Sequence, residues 1–98
     1  MELAYYYELE SVPAMKRLLE EEFFKRIGPT VREAKAMGFD KPGFYMYIKA
    51  RDDLAEEAQG LLKESPAEPL SGAEAEDVMK SFRDEAESAE AGMGALFG

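Results

Sequence analysis

Cysteine and histidine are both absent from this 98-residue chain, and their absence excludes several classes of function. Without cysteine the chain has no disulfide, no thiolate nucleophile and no cysteine-ligated zinc or iron–sulfur site. Without histidine it lacks the commonest general base and the commonest ligand of transition metals, so a Ser-His-Asp triad is impossible. We therefore predict no catalytic residue, no metal site and no cofactor.

Long apolar runs are also missing. No stretch approaches the roughly 20 apolar residues that a membrane-spanning helix needs. Residues 1–5 have neither the basic nor the apolar region that is typical of a secretory signal. We expect no membrane partner and a cytoplasmic location.

Positive charge is scarce, and the scarcity is confined to one half of the chain. The net charge is −9, which disfavours nucleic acid and anionic membranes because both repel an acidic surface. Residues 1–51 contain nine basic and eight acidic residues, whereas residues 52–98 contain three and thirteen. Basic residues of the first helix could therefore attract the acidic last helix, within one subunit or between two.

Two segments rich in aromatic and β-branched residues predict strands, at residues 3–9 and 44–50. In the first, the odd-numbered positions are apolar or aromatic. In the second, Phe44, Met46 and Ile48 share one purely apolar face, which we expect to point to the core.

Amphipathic periodicity predicts helices between and after these strands. The first runs from about 12 to 27, where Gly28 and Pro29 interrupt it, and a second helical piece is expected from Pro29 to Met37. A further helix runs from Asp52 or Asp53 to about residue 64. The last covers about 72–91, with a capping box of Ser71 and Glu74 at its start.

These elements predict one α+β domain, residues 1–98, with the order β-α-(α)-β-α-α. We expect a small sheet of two to four strands with helices on one side, loosely ferredoxin-like, and a parallel pairing across the long crossover. Because two strands make a poor sheet, a short strand within residues 67–70, the C-terminal tail or a second subunit should complete it. This shortage predicts self-association.

All five tyrosines lie on the two predicted strands. Packing in the core or at a subunit interface is the simplest role for them; stacking of nucleic-acid bases is disfavoured by the net charge. For a small ligand, the candidate binding residues are two of these tyrosines and nearby basic side chains: Tyr45, Tyr47, Lys49, Arg26 and Arg32.

The tail, residues 92–98, contains no charged side chain. Its glycines at 92 and 94 are expected to end the last helix. Met93, Leu96 and Phe97 are candidate interface residues, because apolar side chains at a free terminus favour burial. They could pack on their own subunit, in a homodimer, or against a separate protein partner.

The resulting hypothesis is a non-enzymatic, acidic binding or assembly module that forms a homodimer. The alternative is a small-ligand or regulatory domain with a pocket between the sheet and the kinked helix at Gly28. A third is an enzyme that uses only carboxylates and tyrosine. It would require Glu8, Tyr45, Tyr47 and Asp52 to converge. The clusters of acidic residues are otherwise helix caps and solvated faces.

Overall fold

The computed structural model describes the backbone of residues 1–97 and the side chains of residues 1–88. Its strands are β1 (Glu2–Tyr7), β2 (Thr30–Glu33), β3 (Phe44–Lys49) and β4 (Glu68–Pro69). Its α-helices are α1 (Val12–Leu19), α2 (Glu22–Ile27), α3 (Asp52–Leu62) and α4 (Gly72–Phe97). Short 3-10 turns at Leu9–Ser11 and Lys35–Met37 connect some of them.

The four strands form one antiparallel sheet in the order β2-β3-β1-β4. The predicted α+β class, with a small sheet packed on helices, is confirmed. The predicted parallel pairing is wrong, because an additional strand, β2, lies between β1 and β3 in the chain and turns it back before β3 begins. One of the segments expected to complete the sheet, residues 67–70, does contribute the short strand β4.

The segment from Pro29 to Met37, predicted as helical, forms β2 and a 3-10 turn instead. Gly28 ends α2 with a φ of +63°, in the left-handed region that glycine adopts at low cost. Thr30 and Val31, both β-branched, then pair with Tyr47 and Met46 of β3. The break at Gly28 was predicted correctly, but an extended segment follows it rather than a second helix.

The helix predicted from residue 12 to 27 is also divided in two. Glu21 has extended backbone angles, φ −65° and ψ 146°, and separates α1 from α2. The division lets each helix place one large side chain in the core, Met15 from α1 and Phe24 from α2, both with no exposed surface.

One core lies between the sheet and helices α1, α2 and α3. Alternate residues of the central strands point into it: Leu3, Tyr5 and Tyr7 from β1, and, as predicted, Met46 and Ile48 from β3. The buried face of α3, formed by Ala55, Ala58 and Leu62, closes this core.

A second core covers the opposite face of the sheet, where no helix was expected. Val78 and Phe82 of α4 pack there against Ala4, Tyr6 and Tyr45. The sheet therefore has helices on both faces. Alternation along a strand exposes side chains on both faces of a sheet, and here both faces are largely apolar or aromatic.

Helix α4 extends beyond its predicted end. Its backbone is helical to Phe97, so the glycines at 92 and 94 do not end it. The predicted interface residues Met93, Leu96 and Phe97 lie outside the residues whose side chains the structure describes. At the other end of α4, the Glu74 carboxylate bonds side chains of the sheet and the turn before it, rather than forming the predicted capping box with Ser71.

Within the described part of the chain, no helix combines the length and the apolar character that crossing a membrane requires.

Candidate binding face beneath the C-terminal helix

The sheet face beneath α4 combines aromatic and charged side chains. Each strand contributes alternate residues to it because successive side chains point to opposite faces. The antiparallel register places Tyr45 opposite both Tyr6 and Arg32, and Tyr47 opposite both Ala4 and Thr30. The face also includes Glu2, the first residue of β1, and Lys49, the last residue of β3, which are paired with each other.

A first polar contact joins the start of α4 to the turn before β3. The Glu74 carboxylate accepts hydrogen bonds from Lys41 Nζ at 3.0 Å and from the Tyr45 hydroxyl at 3.1 Å. The bond from Lys41 is the main cause that lowers the pKa of Glu74, and desolvation by burial raises the pKa of Tyr45.

Tyr6 completes this contact from below. Lys41 Nζ lies 3.9 Å from the centroid of the Tyr6 ring, a cation–π distance, and the Tyr6 hydroxyl donates to the Pro42 carbonyl at 2.7 Å. Gly43 follows with a φ of +103°; a Cβ there would lie 2.7 Å from the Tyr6 ring and from the Tyr7 carbonyl oxygen. Only glycine fits so close an approach between the turn and β1.

A second polar contact joins the sheet to the middle of α4. The Tyr47 hydroxyl donates a hydrogen bond to the Glu2 carboxylate, which also forms an ion pair with Arg83 Nε at 3.0 Å. Burial, followed by the bond to Glu2, raises the pKa of Tyr47 to about 12, and the same bond lowers the pKa of Glu2. Phe82 stacks on Tyr47 with ring centroids 5.3 Å apart and an interplanar angle of 12°.

A third polar contact ties α4 to the edge strand β2. Arg32 Nε donates to Glu85 Oε1 at 2.8 Å, and Arg32 Nη1 donates to the Val31 carbonyl at 2.8 Å. Arg32 and Glu85 also line a cleft of about 240 Å³ with Tyr47 and Phe82. Within this cleft Arg32 and Glu85 are thus bonded to each other, and the Tyr47 hydroxyl is bonded to Glu2.

These contacts hold α4 on the sheet. Exposed ion pairs contribute only about 0–1 kcal/mol each, so they orient the helix, while the buried Val78 and Phe82 provide most of the stabilisation.

Four of the five candidate ligand residues lie on this one face. Tyr45, Tyr47 and Lys49 come from β3 and Arg32 from β2. Arg26 is exposed on α2, which packs on the opposite face of the sheet. The cleft beside Arg32 lies between the sheet and α4, rather than at Gly28.

Sequence reasoning missed the partners of these side chains. Glu2, Lys41 and Arg83 showed no pattern of their own, and Glu74 was interpreted as a capping residue. Glu85 belongs to the acidic last helix, which was expected to attract basic residues, and its pairing with Arg32 agrees with that expectation. The missing signal was the position of α4, because every one of these partners lies on that helix or faces it.

The residues of the enzymatic hypothesis do not converge. Tyr45 bonds Glu74 and Tyr47 bonds Glu2, whereas the Asp52 carboxylate lies 3.8 Å from the N-terminal amine. Glu8 is exposed, with Glu10 as its main neighbour. In the described part of the chain, no three carboxylates come together as a metal site would require.

Comparison with protein-family models, with curated proteins and with solved structures gives no match to this chain in any of the three.

Proposed function

We propose that the protein is a non-enzymatic assembly module that forms a homodimer through the edge strand β2 and the C-terminal part of α4. The path of α4 is the observation that carries this proposal. The helix starts next to β4, crosses β1 and β3, and reaches β2 at the bond between Glu85 and Arg32. Its helical backbone then continues through residues 87–97, about 16 Å at 1.5 Å per residue.

Such an extension favours a packing partner. An isolated helix of this length is marginal in water, and each of the glycines at 92 and 94 lowers helix stability by about 1 kcal/mol relative to alanine. Ala86 is the last residue of α4 that lines the cleft with the sheet. Burial of the apolar residues that follow would supply the stability that local propensity does not.

Charge favours a second copy of the chain as that partner. Most of the second half of the chain is strongly acidic, so two copies repel each other wherever these acidic segments face one another. The segment after Glu90 has no charged side chain. Two copies that approach through this segment meet the least repulsion.

The two edges of the sheet also differ. Edge β4 has only two paired residues, and one of them is Pro69, which has no N–H to donate. Edge β2 has four residues without proline, and it is the edge that α4 crosses. An interface at β2 would therefore combine strand and helix.

The sheet has four strands from its own chain, so a shortage of strands gives no support for self-association; the proposal depends on α4.

The order β-α-β-β-α-β before α4, with neighbouring strands antiparallel, supports a ferredoxin-like description. The absence of cysteine fits a reducing cytoplasm.

A ligand site at Arg32 and Tyr47 has less support, because both side chains are already bonded within the protein.

The test is light scattering at several protein concentrations. The full chain should reach a molar mass of twice 11.0 kDa, and a chain that ends at Ala91 should remain a monomer. Leu96→Glu in the full chain should also weaken the dimer, because it places a charge in the proposed interface. Ala73→Glu adds the same charge at an exposed position in the first turn of α4, far from the proposed interface, and serves as the matched control.

A monomer at every concentration would refute the homodimer, and would leave a separate protein as the partner of the tail. A dimer that survives truncation at Ala91 would show that the interface does not need the part of α4 after Ala91. Equal effects of Leu96→Glu and Ala73→Glu would attribute the change to charge alone.

A further inference from the structure

A cleft of about 380 Å³ lies far from the proposed dimer edge. It opens between the last turn of α3 and the opposite edge of the sheet, where β1 pairs with β4. Tyr5, Gln59, Lys63, Ala67 and Pro69 are among its lining residues. Its volume is in the range of small-molecule sites, and its lining is mainly apolar with a few polar groups.

Tyr5 sets this cleft apart from the one beside Arg32. The hydroxyls of Tyr6, Tyr45 and Tyr47 all donate hydrogen bonds within the protein. Tyr5 is only 5% exposed, yet its hydroxyl has no hydrogen-bond partner among the described residues.

The Tyr5 hydroxyl is nevertheless not fully enclosed in the core. In the described structure no fully enclosed polar side-chain atom lacks a partner, so this hydroxyl retains contact with solvent. The ring packs in the core beneath α1, α2 and α3, and the open space that Tyr5 lines is this cleft and a smaller adjoining pocket, which shares Gln59 and Pro69 with it. Burial raises the pKa of Tyr5, so the phenol stays protonated near neutral pH and can donate a hydrogen bond.

Two further side chains that line the cleft can donate hydrogen bonds. Lys63 forms no ion pair with any carboxylate of the described residues, although the chain as a whole has an excess of acidic groups. The Gln59 side chain likewise makes no hydrogen bond within that part of the chain. One unpaired positive charge and two neutral donors at an apolar cleft match the acceptors of a carboxylate.

We propose that this cleft binds a small monocarboxylate with an apolar body, whose carboxylate accepts hydrogen bonds from Tyr5 and Lys63 while its hydrocarbon part lies against Ala67 and Pro69. The site is independent of the proposed homodimer, because it lies at the β4 edge and the dimer would form at the β2 edge.

The experiment is a titration of the full-length, ¹⁵N-labelled chain with hexanoate, followed by amide chemical shifts. Saturable shifts are expected at Tyr5, Gly60 and Ala67, with a dissociation constant on the order of 1 mM. Hexanol has the same hydrocarbon chain without the charge and should bind at least about tenfold more weakly, the loss expected for a charge-assisted hydrogen bond.

Tyr5→Phe should weaken hexanoate binding about tenfold for the same reason. Tyr7→Phe is the matched control: Tyr7 is 6% exposed on the same strand face and also has no hydroxyl partner among the described residues, but it does not line the cleft. Lys63→Gln should weaken the binding of hexanoate and leave that of hexanol unchanged.

Gly60→Leu provides a variant that should fold at least as well as the natural chain. Gly60 lies within α3, and a Cβ there meets no atom within 4 Å, so the leucine occupies open space and improves helix propensity. It should block the cleft and abolish the shifts.

Absence of saturable shifts at the cleft, shifts centred elsewhere, or equal affinity of Tyr5→Phe and Tyr7→Phe would overturn the proposal. Light scattering of the same samples separates this result from the dimer, since hexanoate should not change the molar mass.

Discussion

Replacement of Phe82 by alanine tests whether α4 belongs to the cooperative fold. Phe82 is 4% exposed, stacks on Tyr47, and is the largest buried side chain that α4 contributes to the second core. Truncation of a buried phenylalanine costs about 3–5 kcal/mol through lost burial and the cavity that remains. Because Phe82 borders an open cleft of about 240 Å³, water can enter the vacated space, so we expect the lower end, about 3 kcal/mol.

Such a loss is large against a total stability of about 5–15 kcal/mol. With a urea dependence of about 1.5 kcal/mol per molar, the unfolding midpoint should fall by about 2 M. The assay is equilibrium urea unfolding followed by far-ultraviolet circular dichroism, with Leu61→Ala as the control. Leu61 is 41% exposed on α3, and its truncation should cost under about 1 kcal/mol. If Phe82→Ala costs no more than Leu61→Ala, α4 does not stabilise the sheet and the second core must be rejected.

Two further predictions concern the same face. Gly43→Ala should destabilise the protein by more than about 2 kcal/mol, because its Cβ would meet Tyr6 and the backbone of Tyr7. The control is Gly38→Ala, at a φ of +92° but with no atom within 4 Å of the added Cβ, which should cost only about 1 kcal/mol in the same urea assay. Equal costs of the two substitutions would contradict the close approach at Gly43. Glu2→Gln should lower the pKa of Tyr47 from about 12, measured by tyrosinate absorbance. An unchanged titration of Tyr47 in Glu2→Gln would disprove the contact. Since the pKa of Tyr47 in the folded state exceeds the ordinary value of 10.0, the stability of the fold should fall as pH rises from 10.0 toward 12.

The central strands were predictable because their residues alternate. Met46 and Ile48 lie in the first core as their spacing indicated, and Tyr45 and Tyr47 lie on the other face. Period-two patterning depends only on the backbone pleat, which is local. The same pattern could not reveal which face a helix would cover.

Strand β2 was the main error of sequence reasoning. Val31, Ala34 and Met37 have helical spacing, yet Val31 packs in the first core, whereas Ala34 and Met37 belong to the second. Pairing with β3 stabilises the extended segment, and contacts distant in the chain often override local propensity. A four-residue strand leaves too short a pattern for periodicity to distinguish it from a helix.

The candidate site was only partly predictable for the same reason. Arg32, Tyr45 and Tyr47 could be selected by residue type, but their partners Glu85, Glu74 and Glu2 lie between 29 and 53 positions away in the chain. No local pattern links residues at such separations.

Composition and periodicity alone excluded thiol and histidine chemistry and assigned the two central strands and the inward face of the second, because these properties depend on residue identity and on neighbours a few positions away. The antiparallel order of the strands, the covering of the second face by α4, and the contrast between the bonded hydroxyl of Tyr47 and the unbonded one of Tyr5 emerged only in the folded chain. They depend on which distant segments meet, and that is settled by the packing of all the elements together.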